Sequence, residues 1–301
     1  MNQLSSPVAA PQGSGFGATL RTDQWWLGPL ATGSLLLAFL IYSTIAAFIG
    51  GNYWVPGTNY LSPFYSPELW GTSPHAIFGI APSWWPTGIL PFSAALLILG
   101  GPAGFRLTCY YYRKAYYRSL WFDPVACAVG EPRKSYWGEN SLPLILWNLH
   151  RYFLYLAIIF VFVLLYDGIL AHFFPVNADG SAFANYHFLA NGQPNPAFNA
   201  GGPLEPHHHV FGMSLVSLTL LINPLLIAGY TFGCHSLRHL VGGKKDCFSC
   251  GNPVRFKAWS FVSFLNRNHA VWAMASLVMV GFADIYVRLV AMGIWPQVRF
   301  F

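Results

Sequence analysis

Five apolar stretches, each long enough to cross a bilayer as a helix, dominate this 301-residue chain: about 26–50, 86–112, 144–173, 210–234 and 269–293. A hydrocarbon core of about 30 Å takes roughly 20 helical residues, and in lipid a backbone must satisfy its own hydrogen bonds, so such runs have few choices besides the α-helix. Only 9% of residues are charged and 54% are hydrophobic, far from the composition of a soluble domain. The expected fold is an all-α integral membrane protein, one bundle of five transmembrane helices over 25–301. Five crossings would put the termini on opposite sides.

The charges give an orientation. Eleven of the sixteen Lys and Arg fall between runs 2 and 3 or between runs 4 and 5, and Arg106 and Arg151 lie in the run ends that border the first of these loops, while the loops 51–85 and 174–209 contain none. The positive-inside rule then predicts a cytoplasmic N-terminus and an extracytoplasmic C-terminus. Residues 1–24, rich in Ser, Pro, Gly and Ala, lack a secretory signal and are expected to form a flexible cytoplasmic arm. The net charge of +6 is a one-sided band, suited to anionic lipid or an acidic partner, and no aromatic–basic nucleic-acid module is visible. Localisation in a cytoplasmic membrane follows.

All five cysteines, Cys109, Cys127, Cys234, Cys247 and Cys250, lie at the basic edge. Structural disulfides belong on the other side, so reduced thiols or metal ligands are expected. Cys127, flanked by apolar residues, reads as a buried free thiol as readily as a ligand. The Cys247–Cys250 spacing alone is a weak metal signal.

Each of two hairpins leaves the membrane at a thiol and re-enters at an imidazole: Cys109 then His150, Cys234 then His269. His235 and His239 stand one helical turn apart just after Cys234. Two Cys with two His is the donor set of a Rieske-type [2Fe–2S] centre. A haem b held by His150 with His235 or His239 is an alternative, with His75, His172 or His207 to His209 available to a second haem. An unmetallated transporter or anchor is a third reading, but no ionisable residue sits at mid-span and no inverted repeat is visible.

The segments Arg106-Leu-Thr-Cys-Tyr-Tyr-Tyr-Arg-Lys-Ala-Tyr-Tyr-Arg118, Cys127-Ala-Val, Asn148-Leu-His-Arg-Tyr152, Cys234-His-Ser-Leu-Arg-His239 and Asp284-Ile-Tyr286 resemble the five-helix membrane anchor of a bacterial succinate dehydrogenase. The likeness is to the branch whose anchor holds a Rieske-type cluster instead of haem. The resemblance implies metal ligands among Cys109, Cys234, His150 and His239, with Cys127 and His235 in reserve and His269 next. It implies a quinone, menaquinone being the expected type, beside Tyr110, Tyr111, Arg113 and Arg151. It also implies flavoprotein and iron–sulfur partner subunits on the cytoplasmic face, this chain doing no chemistry on succinate. The absence of any GxGxxG flavin fingerprint suits that division.

Overall fold

A computed structural model describes residues 15–86, 89, 91–133, 138–243, 247 and 252–301 of the chain. Helix α1 (Leu27–Ile49) is the first apolar run. Its Leu30, Leu40, Ile41 and Ile45 are all more than half exposed, as expected of a helix with hydrocarbon on one side.

The second run, expected as one span, is a succession of α2 (Ala94–Ile98), α3 (Gly100–Thr108) and α4 (Tyr110–Tyr116), ending in a π-helical turn at Tyr117–Trp121. Pro102 has no N–H to return to the Ile98 carbonyl, which accounts for the first interruption. The second falls at Cys109.

Run 3 enters through a 3₁₀ turn (Leu144–Leu149) and continues as α5 (His150–Leu170). Run 4 is α6 (Leu215–Phe232), opened by a reciprocal Ser214–Ser217 capping box, and is followed by α7 (His235–Gly242) and α8 (Pro253–Arg267). Run 5 is α9 (His269–Ala291). Among the described residues, four stretches are long and apolar enough to cross a membrane: Leu27–Ile49, Leu144–Leu170, Leu215–Phe232 and His269–Ala291.

The chain divides into two compact units. One comprises Met1–Leu40 with Leu107–Asn148. In it the described part of the N-terminal arm is pinned to the 125–130 loop: Gly17 N–H donates to Gly130 O (2.9 Å) and Gly130 N–H to Ala18 O (2.8 Å). Arg21 Nη1 reaches the Cys127 carbonyl at 3.1 Å. The rest of the expected arm, residues 1–14, lies outside the described residues.

The other unit is Ile41–Arg106 with Leu149–Phe301. Here α6 packs between α5 and α9. Lipid is as apolar as a leucine side chain, so helices associate in it through close contact at small residues more than through hydrophobic burial. Gly168 of α5 meets α6 so tightly that an added Cβ would lie 2.7 Å from the Leu220 carbonyl, the group that Pro224 leaves without its helical donor. Gly229 of α6 lies against Trp272 of α9, and Gly104 of α3 against the Phe153 ring of α5.

The end of this unit remote from the Arg238–Arg267 loop is built from the two long loops that lack Lys and Arg, 51–85 and 174–209. They contain two short antiparallel pairs: β1 (Trp54–Val55) with β2 (Tyr60–Leu61), and β3 (Phe173–Val176) with β4 (His208–Phe211). A core of Tyr60, Phe174, Val216, Leu220, Tyr286 and Val287 joins them to the helix ends. Beside it Asp284 and Arg288, one turn apart on α9, form a buried ion pair at 2.9 Å. Tyr42 and Ser62 donate hydroxyls to Asp284, and Arg288 donates to the carbonyls of Gly51 (2.7 Å) and Ala46 (3.0 Å). Every charge placed at this depth therefore has partners, as burial requires.

Candidate functional site

The two thiols singled out by the sequence occupy the same kind of backbone position in their separate units. Cys234 lies between α6 and α7 with extended dihedrals (φ −64°, ψ 140°) and caps α7, its sulfur accepting the Ser236 N–H at 3.3 Å. Cys109 lies between α3 and α4 with φ −66°, ψ 132°. Both are buried. In each case one extended residue interrupts an otherwise helical path and turns its side chain out of the helical row.

His150, the first residue of α5, brings Nε2 to 3.2 Å from Cys234 Sγ. Its ring stacks on Phe105, centroids 4.6 Å apart and planes within 5°. Phe105 in turn packs on Tyr230 (5.2 Å), and Tyr230 stacks on His269 (5.0 Å), the first residue of α9. Arg106 lies over the Tyr230 ring at 5.0 Å and is tied to α9 through the Ala273 carbonyl (3.3 Å) and Ser276 Oγ (3.1 Å). Gly233 is needed at the turn before Cys234, because a Cβ there would come within 3.2 Å of His269 Nδ1 and 2.7 Å of the Gly229 carbonyl. The result is a layer of four rings, two of them imidazoles, beside a buried thiol and a half-buried guanidinium.

The other imidazoles of the motif stand apart from this layer. His239 is exposed, its Nδ1 3.3 Å from Arg151 Nη2. His235 is also exposed and lies 3.5 Å from the side-chain amide of Asn266, which donates to the Gly233 carbonyl at 2.7 Å. Their one-turn spacing does put both on one face, but it is the exposed one. His269, a distant choice from sequence, is only 1% exposed. It could have been found by asking which imidazole opens a span whose neighbours at the same depth are small or aromatic.

Cys127, which reads from sequence as a buried free thiol as readily as a ligand, is exposed. Cys247 is disulfide-bonded, which corrects the expectation of a reduced thiol there; Cys250 lies outside the described residues. Among the described residues, no three His, Cys, Asp or Glu side chains are near enough to hold one metal ion in common. Of the imidazoles available to a second haem, His172 Nδ1 contacts the Gly168 carbonyl at 2.9 Å, and His207 and His208 lie side by side on the surface.

Of the expected quinone contacts, Tyr110, Tyr111 and Arg113 belong to the first unit and Arg151 to the second. Tyr110 is 59% exposed. Arg113 sits over its ring (5.4 Å) and is ion-paired to Glu139 at 3.1 Å.

Residues 27–190 and 197–293 match the family model described as actinobacterial succinate dehydrogenase subunit SdhC. Among solved structures, the chain is similar to one described as "Mycobacterium smegmatis Sdh1 complex in the apo form", at 40% sequence identity and TM-score 0.73, covering 94% of each chain. No curated protein matches.

Proposed function

Because the chain belongs to the actinobacterial SdhC family, the membrane anchor subunits of succinate dehydrogenase, we propose that it is also the complex's electron-transfer and quinone-reducing subunit and holds a Rieske-type [2Fe–2S] centre. The observation that carries this reading is the 3.2 Å approach of His150 Nε2 to Cys234 Sγ at a buried helix break. A thiol beside an imidazole, with a second buried imidazole, His269, against the same turn, suits mixed sulfur and nitrogen ligation. Cys109 supplies the second thiol in the same backbone setting, and His269 takes the place first given to His239. When bound, such a centre supplies a one-electron carrier of relatively high potential.

The surrounding residues have definite tasks. Phe105 and Tyr230 fix the planes of the two imidazole rings and exclude water from them. The Ser236 N–H stabilises negative charge on the Cys234 sulfur. Arg106 adds a positive charge beside Tyr230. Quinone reduction needs hydrogen-bond donors to the carbonyl oxygens and a source of protons, roles that we assign to Tyr110, Tyr111, Arg113 and Arg151. Menaquinone remains the expected quinone. The basic loops suit the docking of an iron–sulfur subunit, itself bound to the flavoprotein that oxidises succinate.

A haem b would need His150 with His235 or His239 and would leave both thiols idle. The geometry favours the cluster, since His150 turns its Nε2 to Cys234 while His235 and His239 are exposed. The test is Cys234→Ser in the purified complex. The low-temperature EPR signal of a Rieske-like centre should disappear; an unchanged spectrum, or a haem absorbance lost in His150→Ala, refutes the assignment.

A further inference from the structure

The first unit contains a groove of about 380 Å³ between the start of α1 and the π-helical turn at Tyr117–Trp121. Trp25, Trp26 and Leu30 form one wall, and Leu120, Phe122 and Val125 the other. The backbone on both sides is shaped to make it. Gly33 lets α1 approach the turn so closely that an added Cβ would lie 3.2 Å from Ser119 Cβ. The turn then ends at Phe122, whose left-handed dihedrals (φ 57°, ψ 37°) are costly for a bulky residue. π-Helical turns and strained residues gather at functional sites, and here the two meet in one wall of one groove.

The chemistry of the wall selects the occupant. Among the described residues, none that lines the groove is ionisable. The polar side-chain atoms are the hydroxyls of Ser34 and Ser119 and the indole nitrogens of the Trp pair, and Ser119 Oγ already donates to the Ala115 carbonyl at 2.8 Å. A quinone ring would find no group here to give it protons, and an inserted peptide would leave backbone N–H and C=O groups without partners. A hydrocarbon chain needs neither. Trp26 and Leu30, 48% and 56% exposed, open the groove to lipid at the Trp-bearing end of a helix long enough to span, where interfacial tryptophans belong.

One cation stands at the wall. Arg118 precedes the lining residues Ser119 and Leu120, and its Nε and Nη2 each lie 3.4 Å from the carbonyl of Val125, another lining residue. Arg21, Arg113 and Arg133 of the same unit are ion-paired to Asp23, Glu139 and Asp123, whereas among the described residues no carboxylate pairs with Arg118. An exposed guanidinium without a counter-charge, beside an apolar groove at the edge of a span, calls for a molecule with an anionic head and a hydrocarbon tail.

We propose that this groove binds an acyl chain of an anionic phospholipid whose phosphate accepts hydrogen bonds from the Arg118 guanidinium. The proposal does not depend on the redox reading, because no residue of the ring layer and none of the expected quinone contacts is involved.

The test uses the purified complex, delipidated in detergent, and phospholipids with a photoactivatable diazirine in the acyl chain, crosslinked peptides being mapped by mass spectrometry. Labelling of 25–37 and 119–125 by the phosphatidylglycerol probe should saturate and should be competed by unlabelled phosphatidylglycerol. The matched phosphatidylcholine probe should label these segments about fivefold less at the same low concentration, the effect of one basic side chain on an anionic head. Arg118→Gln should bring the two probes to the same level. Ser34→Phe should put a ring into the groove and lower labelling by both, and it serves as the second variant should Arg118→Gln fail to assemble. Equal labelling by the two probes in wild type, a preference that survives Arg118→Gln, or labelling that Ser34→Phe leaves unchanged overturns the proposal. So does capture of a photoactivatable quinone in place of the phospholipid, or the absence of lipid labelling that a partner subunit filling the groove would produce.

Discussion

Replacing Gly168 with Ala tests the principle that holds α5 to α6. The new Cβ would sit 2.7 Å from the Leu220 carbonyl oxygen, 3.1 Å from Leu221 Cα and 3.2 Å from the Leu220 carbonyl carbon. All three are backbone atoms, so no side-chain rotation relieves the overlap and the helices must part. Overpacking by one methyl costs about 1–3 kcal/mol, and the Gly-to-Ala gain in helix propensity returns about 1 kcal/mol, leaving a net loss of up to about 2 kcal/mol. Gly100→Ala is the control, since nothing lies within 4 Å of the added atom there. Thermal unfolding of the complex in detergent should show a Tm lower by a few degrees for Gly168→Ala and none lower for Gly100→Ala. Gly168 is 18 residues from His150 along α5, about 27 Å at 1.5 Å per residue, so the EPR spectrum should survive. A Gly168→Ala complex as stable as Gly100→Ala would refute the claim that close backbone contact joins these helices.

Other perturbations probe the ring layer and the opposite end. Arg106→Met removes a positive charge beside Tyr230, which disfavours the reduced form of any neighbouring centre; redox titration followed by EPR should show a potential lower by a few tens of millivolts, on the order of 1 kcal/mol. Arg288→Met strands the fully buried Asp284 carboxylate, costing about 3–5 kcal/mol, whereas the double variant with Asp284→Asn should recover most of the yield of assembled complex. His75, with its folded pKa lowered from 6.5 to about 4 by burial, binds protons more readily when unfolded. Its contribution is full above pH 6.5 and is lost as pH falls from there toward 4. Burial raises the pKa of Glu68, which acts with the opposite sign, so the comparison is with His75→Gln. Hydrogen exchange of the 66–79 amides, corrected for intrinsic rates, should quicken with acid more in wild type than in that variant.

Much of the architecture was legible because lipid leaves a chain few alternatives. Runs 1, 3, 4 and 5 form the helices expected of them, and the Cys234 and His150 motifs do come together. The second run is helical but interrupted, because Pro102 and the extended Cys109 break the hydrogen-bond ladder, which hydropathy does not register. His239 stands apart from the ring layer for a different reason. Helical spacing correctly put His235 and His239 on one face, yet α7 lies past the end of the span, where either face could have been the buried one. Cys127 shows the same limit, since apolar neighbours in a loop do not guarantee burial.

The four helices long and apolar enough to cross a membrane, the clustering of the basic residues and the inventory of thiols and imidazoles beside them were all determined by local composition. Which of those groups meet was decided only by tertiary structure. A membrane helix can turn apolar residues both to lipid and to its neighbours, so its periodicity does not reveal its rotation. That rotation is set by where Gly104, Gly168, Gly229 and Gly233 let backbones and rings approach, and these contacts place His150 and His269 inside the unit while His239 stays outside.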